Sequence, residues 1–513
     1  MRSFLFLIAI FSIAISADVP NIWPLPKEYK FGDKIIPVDS GKFRFHTAQT
    51  SNELMEAFQR YYTIIFDRRA APVEGVAVWN VEVEVEEGKT ELQLGVDESY
   101  SIEVPDDGSD VVIHAKNVFG AMHGLETFSQ LVEYDSDLMQ FVIRQAPWSI
   151  KDEPRFPHRG ILMDTSRHYE GLPSIKKLID SMTYAKLNVL HWHLTDSQSN
   201  PTQSETYPKW WDGAYSPYER YTIADLEEIV EYARMRGIRV VPEMDVPGHE
   251  ASWCPGYPEV CPREDCHEPL DPTSELTWKL IHGVLDEWSG KEQGKGIFPD
   301  NYYHMGGDEV NTDCWKTTAR IVDWMKSQNM TDHDTYKYFV KKVHEYVTEN
   351  KRNGIYWEEV WLNFRTDLDK DTIIETWLNK KTMKDIVANG YRTIISNPYL
   401  YLDHLDNHWE ALYNDEPFEF TDVPEEQALV LGGEACMWAE TVDVSDLYNT
   451  IWPRAGAFAE RYWSPREVND VESAHPRLMH FRCLLNRRGI PAAAVDNKRA
   501  RQGPPGAGSC YAQ

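Results

Sequence analysis

Two periodicities divide this chain. Before residue 150, Val81, Val83 and Val85 alternate with Glu82, Glu84 and Glu86, the pattern of a strand with one buried and one wet face. Val111-Val112-Ile113 predicts another strand, and Phe119 to Val132 a helix. Pro154, Phe156 and Pro157 mark a linker, since proline punctuates regular structure. From His158 the pattern changes to short apolar runs separated by amphipathic stretches. The runs are Gly160 to Asp164, Val189 to Leu194, Arg239 to Met244, Tyr302 to Met305, Gly354 to Glu358, Thr372 to Trp377, Arg392 to Ser396 and Leu429 to Gly432. Ile223 to Arg236 and Tyr336 to Glu349 are examples of the helices between them. Eight strands in such a series predict an α/β fold, a (β/α)8 TIM barrel preceded by a smaller α/β domain. A doubly wound sheet is the alternative, but no glycine-rich phosphate fingerprint opens the first helix. With 513 residues the chain suggests two domains, and the expected division is 18–150 and 151–513.

Residues 1–17 carry one arginine, an apolar core from Phe4 to Phe11 and small residues at Ser16 and Ala17. They read as a secretory leader, and neither that core nor any later run is long enough to span a bilayer. A net charge of -30 argues against nucleic acid as a partner, which would require a basic footprint. Seven cysteines suit an oxidising compartment, and the leader predicts delivery to the lysosome or secretion. The cysteine and histidine spacings do not suit zinc. Three disulfides and one buried free thiol, Cys436, are expected, with the pairing among Cys254, Cys261, Cys266 and Cys314 left open. Asn329-Met330-Thr331 is an N-glycosylation sequon.

The chemistry gathers at the C-terminal ends of the predicted strands, the rim where barrels assemble active sites. The fourth strand runs through Gly306-Gly307 into adjacent acids, Asp308 and Glu309. Neighbours on an ideal strand point to opposite faces, so both acids serve one site only if the glycines release the backbone. Two acids held close cannot ionise independently, which is equipment for acid/base cleavage of a glycosidic bond. One of the pair is the expected proton donor, with a raised pKa, so that activity falls as pH rises above it. Arg167 ends the first strand and Asp196 the second, a combination suited to gripping sugar hydroxyls or, more plainly, a buried ion pair. His191 and His193 share a strand face. A metal hydrolase would need further ligands that are not evident, so structural histidines beneath the site, with no metal and no cofactor, are the expectation. His249 follows a Pro-Gly turn and could orient a carboxylate. Trp357, Trp377 and Trp438 lie at strand ends and suggest an aromatic box for a sugar and its acetyl methyl.

His304-Met305-Gly306-Gly307-Asp308-Glu309-Val310 resembles the signature of family 20 glycoside hydrolases, the β-N-acetylhexosaminidases. Asp164 to Tyr169, His191 to Asp196, Pro247-Gly248-His249 and Gly432 to Trp438 are similar to its other blocks, in the same order. The resemblance covers nearly the whole chain beyond the leader and is greatest to the eukaryotic lysosomal α/β chains. It implies exo-hydrolysis of terminal GlcNAc or GalNAc from a glycan or glycoconjugate, by a retaining mechanism in which the substrate's acetamido oxygen is the nucleophile. On that resemblance Glu309 is the acid/base and Asp308 holds the acetamido group. Arg167 and Glu440 grip the terminal sugar, with Asp196 and His249 nearby. Trp357, Trp377 and Trp438 line the pocket, and Tyr401 bonds the acetamido oxygen. Pro398-Tyr399-Leu400-Tyr401-Leu402-Asp403 departs from the family's usual Trp-Tyr-Leu block. Asp403 resembles the β-type chain, and His404 stands where the α-type carries arginine, which implies neutral substrates. The resemblance also implies a homodimer. The rivals are a silent N-acetylhexosamine-binding lectin and a conventional retaining glycosidase with its own nucleophile.

Overall fold

The computed structural model describes residues 19–290 and 296–495; the expected leader and Cys510 lie outside them. Eight parallel strands close into a barrel: His158–Asp164, Val189–His193, Arg239–Glu243, Tyr302–His304, Asn353–Trp357, Ile373–Thr376, Arg392–Ile395 and Val430–Met437. Each predicted run falls on one of them. The last differs most, since it continues beyond Gly432 to Met437, paired with the first strand through Met437–Met163. Polar Glu434 is compatible with that interior position because His158 and His191 accompany it there.

The N-terminal domain is a seven-stranded mixed sheet, of which the sequence revealed only Asn80–Glu87 and Val111–Asn117. The helix Val118–Leu131 is buried along its whole length. Buried ion pairs join the domain to the barrel. Glu98 pairs with Arg159 of the first barrel strand at 2.7 Å, and Asp152 with Lys186 at 3.0 Å. Trp463 adds an indole hydrogen bond to Asp152 at 3.0 Å. Paired charges of this kind cost a great deal to break singly, because the remaining partner is left buried and uncompensated. No helix among the described residues is long and apolar enough to cross a membrane.

Two disulfides, Cys254–Cys261 and Cys266–Cys314, resolve the pairing left open by sequence. Cys436 is free and buried, as expected. Cys483 is disulfide-bonded. The second bridge matters for the rim, since it ties the loop after the third strand to the helix Asp313–Thr317 that follows the two acids.

Candidate active site

The site begins where the fourth strand stops, at His304. Gly306 and Gly307 take φ values of 58° and 89°, and Glu309 takes 49°. The turn wraps the Asp245 carboxyl: a Cβ on Gly306 would lie 1.7 Å from Asp245 Oδ1. The Gly307 N–H donates to that same oxygen at 2.9 Å. Such a turn abolishes strand alternation, so adjacent side chains no longer oppose one another. Asp308 and Glu309 accordingly converge on one imidazole. His249 Nε2 is 3.8 Å from Asp308 Oδ2 and 3.6 Å from Glu309 Oε2.

The two acids differ in surroundings. The Asp308 side chain is 13% exposed and the Glu309 side chain 59%. Burial and the neighbouring Asp245 push the Asp308 carboxyl well above the usual range, against the pull of His249. Its Oδ1 is buried without a hydrogen-bond partner. Asp245 is itself raised to about 6, chiefly by burial. Burial alone would lower the His249 pKa, but Asp245, Asp196 and Asp308 outweigh it and push it up to about 12. His249 is therefore a cation among acids.

Arg167 follows the first strand, where Asp164 Oδ1 accepts its backbone N–H at 3.1 Å. Its guanidinium meets Asp164 at 2.9 Å, Asp196 at 2.7 Å and Glu440 at 3.5 Å. Its Nε–H donates to Gln198 Oε1 at 3.1 Å. The ion-pair reading of Arg167 thus holds: it is paired with buried Asp164 and Asp196 and reaches exposed Glu440. Asp196 also lies 3.4 Å from His249 Nδ1, which joins the arginine cluster to the two acids.

The predicted box forms. Trp357 and Trp438 lie 5.9 Å apart, Tyr401 and Trp438 6.5 Å, and Trp377 lies nearly parallel to Tyr401 at 6.2 Å. Leu162 and Cys436 pack against the same rings. Tyr401 takes its place despite the altered block, because Leu402 N–H donates to Cys436 O at 2.7 Å and sets the loop against the last strand. Asp403 is 17% exposed and stands 3.7 Å from His404.

Beneath the box, Glu243 is a hub that sequence reasoning missed. It accepts from Trp357 Nε1 at 2.8 Å and lies 2.5 Å from His193, 2.8 Å from His304 and 3.1 Å from His191. Burial opposes charge on both histidines, yet Glu434 and Glu243 outweigh it at His191, and Glu243 and Asp196 at His193, and hold both well above the ordinary imidazole range. The expected structural histidines are thus ion-paired ones. Groups such as His191, Glu243 and His304 are close enough to hold a cation, but these His–carboxylate pairs already account for them. The signal for the hub was present: Glu243 and Asp245 are two residues apart at a strand end, hence on one side. Glu359, which accepts from Trp377 Nε1 at 2.8 Å, was also missed.

Two carboxyls beside an aromatic box at the C-terminal rim of a (β/α)8 barrel define a sugar-cleaving enzyme, a glycoside hydrolase. Residues 156–466 match the catalytic domain of glycosyl hydrolase family 20, and residues 22–131 a beta-acetyl hexosaminidase like domain. Beta-hexosaminidase 1 of Arabidopsis thaliana is 46% identical, over 96% of this chain and 94% of its own length. The mouse beta-hexosaminidase subunit beta is 36% identical, over 95% and 94%. A Flavobacterium johnsoniae chitobiase structure superposes with a TM-score of 0.81 at 29% identity, covering 92% of this chain and 73% of that one. The chain belongs to glycosyl hydrolase family 20, the β-N-acetylhexosaminidases.

Proposed function

We propose that the protein removes terminal non-reducing GlcNAc and GalNAc residues with the substrate's own acetamido oxygen as nucleophile. One observation carries this reading: Asp308 presents a buried, unpartnered carboxylate oxygen beside the box, while Glu309 stands exposed on the same side of the wall. An acetamido N–H is the complementary donor for Asp308 Oδ1, since burying an unsatisfied carboxylate oxygen is costly. Ionised Asp308 then faces the positive charge that spreads over the cyclised acetamido group. That charge favours its ionisation, offsetting the burial that otherwise opposes it. Glu309, at the mouth, gives its proton to the departing glycosidic oxygen and recovers one from the water that opens the ring. His249 holds both acids to one side. Arg167, Asp196 and Glu440 grip the sugar hydroxyls, Tyr401 donates to the acetamido oxygen, and Trp357, Trp377 and Trp438 enclose the methyl. Asp403 adds negative charge and disfavours anionic sugars.

A lysosomal or secreted location and a homodimeric state extend the proposal. Two disulfides agree with an oxidising compartment. Asn329 is exposed before the helix Asp332–Glu349, which suits a glycan there. The test is turnover of a chromogenic GlcNAc glycoside and its 6-sulfated analogue. Wild type should cleave the first and discriminate against the second, and Glu309→Gln should lose about a hundredfold or more in kcat. A Glu309→Gln protein as active as wild type would remove the acid/base, and equal rates on both substrates would remove the role of Asp403.

A further inference from the structure

Glu358 and Glu359 open the short helix after the fifth strand, and both reach across to the end of the sixth. Glu358 Oε2 accepts the backbone N–H groups of Trp377, Leu378 and Asn379 at 2.9, 2.7 and 3.2 Å, which fixes the loop. Glu359 Oε2 accepts the Trp377 indole N–H at 2.8 Å, which fixes the ring. Trp377 is only partly buried, so packing does not by itself hold it. We propose that Glu359 is a positioning residue which, by holding the Trp377 indole parallel to Tyr401, sets the size of N-acyl group the pocket accepts. The inference rests on the reading of the box as the acetamido pocket and deepens it.

The electrostatics favour the arrangement. Burial and Asp308 push Glu359 up to about 7, against the Trp377 hydrogen bond. In acid the group is therefore a neutral carboxylic acid, whose carbonyl oxygen still accepts the indole hydrogen without setting a second charge beside Asp308. A glutamine side chain has the same shape and the same acceptor, whereas alanine has neither.

The experiment measures kcat and KM for chromogenic N-acetyl and N-butanoyl glucosaminides with wild type, Glu359→Gln, Glu359→Ala and Trp377→Ala. Wild type should prefer N-acetyl. Glu359→Ala should narrow that preference by about fivefold or more, mainly through KM, as lost aromatic contact predicts. Glu359→Gln should stay within about twofold of wild type. If Trp377→Ala narrows the preference and Glu359→Ala does not, or if glutamine behaves as alanine does, the assignment of Glu359 is overturned. If Trp377→Ala leaves the preference unchanged, the box reading fails and the role of Glu359 with it.

Discussion

Gly306 has no room for a side chain. The Asp245 carboxyl fills the place a Cβ would take, and the backbone is left-handed at both glycines. Gly306→Ala should therefore cost about 3 kcal/mol or more, read as a lower denaturant midpoint, and should lose activity together with stability. Unchanged stability would show that the turn can be remade without glycine. The same turn explains why adjacent acids can share one task yet differ in character. Asp308 is the more buried of the two, 13% exposed against 59%, and burial raises its carboxyl. Sequence shows that two acids are adjacent; it does not show that Asp308 comes to lie beside Asp245, from the loop after the third strand.

At the scale of elements, the barrel strands were legible because they are short and almost entirely buried, so each stands out as an apolar run. The N-terminal sheet was less so. Its outer strand Glu28–Val38 carries many half-exposed and charged positions, whereas the helix Val118–Leu131 was legible as an apolar run. Among site residues, those at strand ends with distinctive motifs were readable. Glu359 was not, because its importance lies in a partner after the next strand, and Glu243 showed only its spacing from Asp245, not its partners. The loop after the third strand and the helix after the two acids are joined by Cys266–Cys314, 48 residues apart in sequence. On the chain-entropy account, replacing both cysteines with serine should cost about 3–4 kcal/mol. Because the bridge links the His249 loop to the segment after Glu309, heat inactivation should also come at lower temperature than in wild type. Inactivation at the wild-type temperature would mean that packing alone holds the rim.

The whole molecule should be most stable in mild acid. A carboxyl whose folded pKa lies above its unfolded value supports folding at low pH and loses that support as pH rises. Asp245 at about 6, and Glu170 and Glu359 at about 7, are such groups, each raised chiefly by burial. Their support fades between about pH 4 and about pH 7. Glu98 has the opposite sign: burial would raise it, but Arg159 and His123 hold it at about 2, so its contribution is present above about pH 4.5 and lost on descending toward pH 2. A formal charge of -30 at neutral pH adds self-repulsion that protonation relieves. Tm should accordingly be higher near pH 5 than near pH 8, and the reverse order would refute the burial argument. The catalytic claim is tested most directly by kcat/KM along N-acetyl, N-fluoroacetyl, N-difluoroacetyl and N-trifluoroacetyl glucosaminides. If the sugar's carbonyl oxygen attacks the anomeric carbon, each fluorine weakens it and the rate should fall steeply along the series. A flat series would mean that a protein group makes that attack.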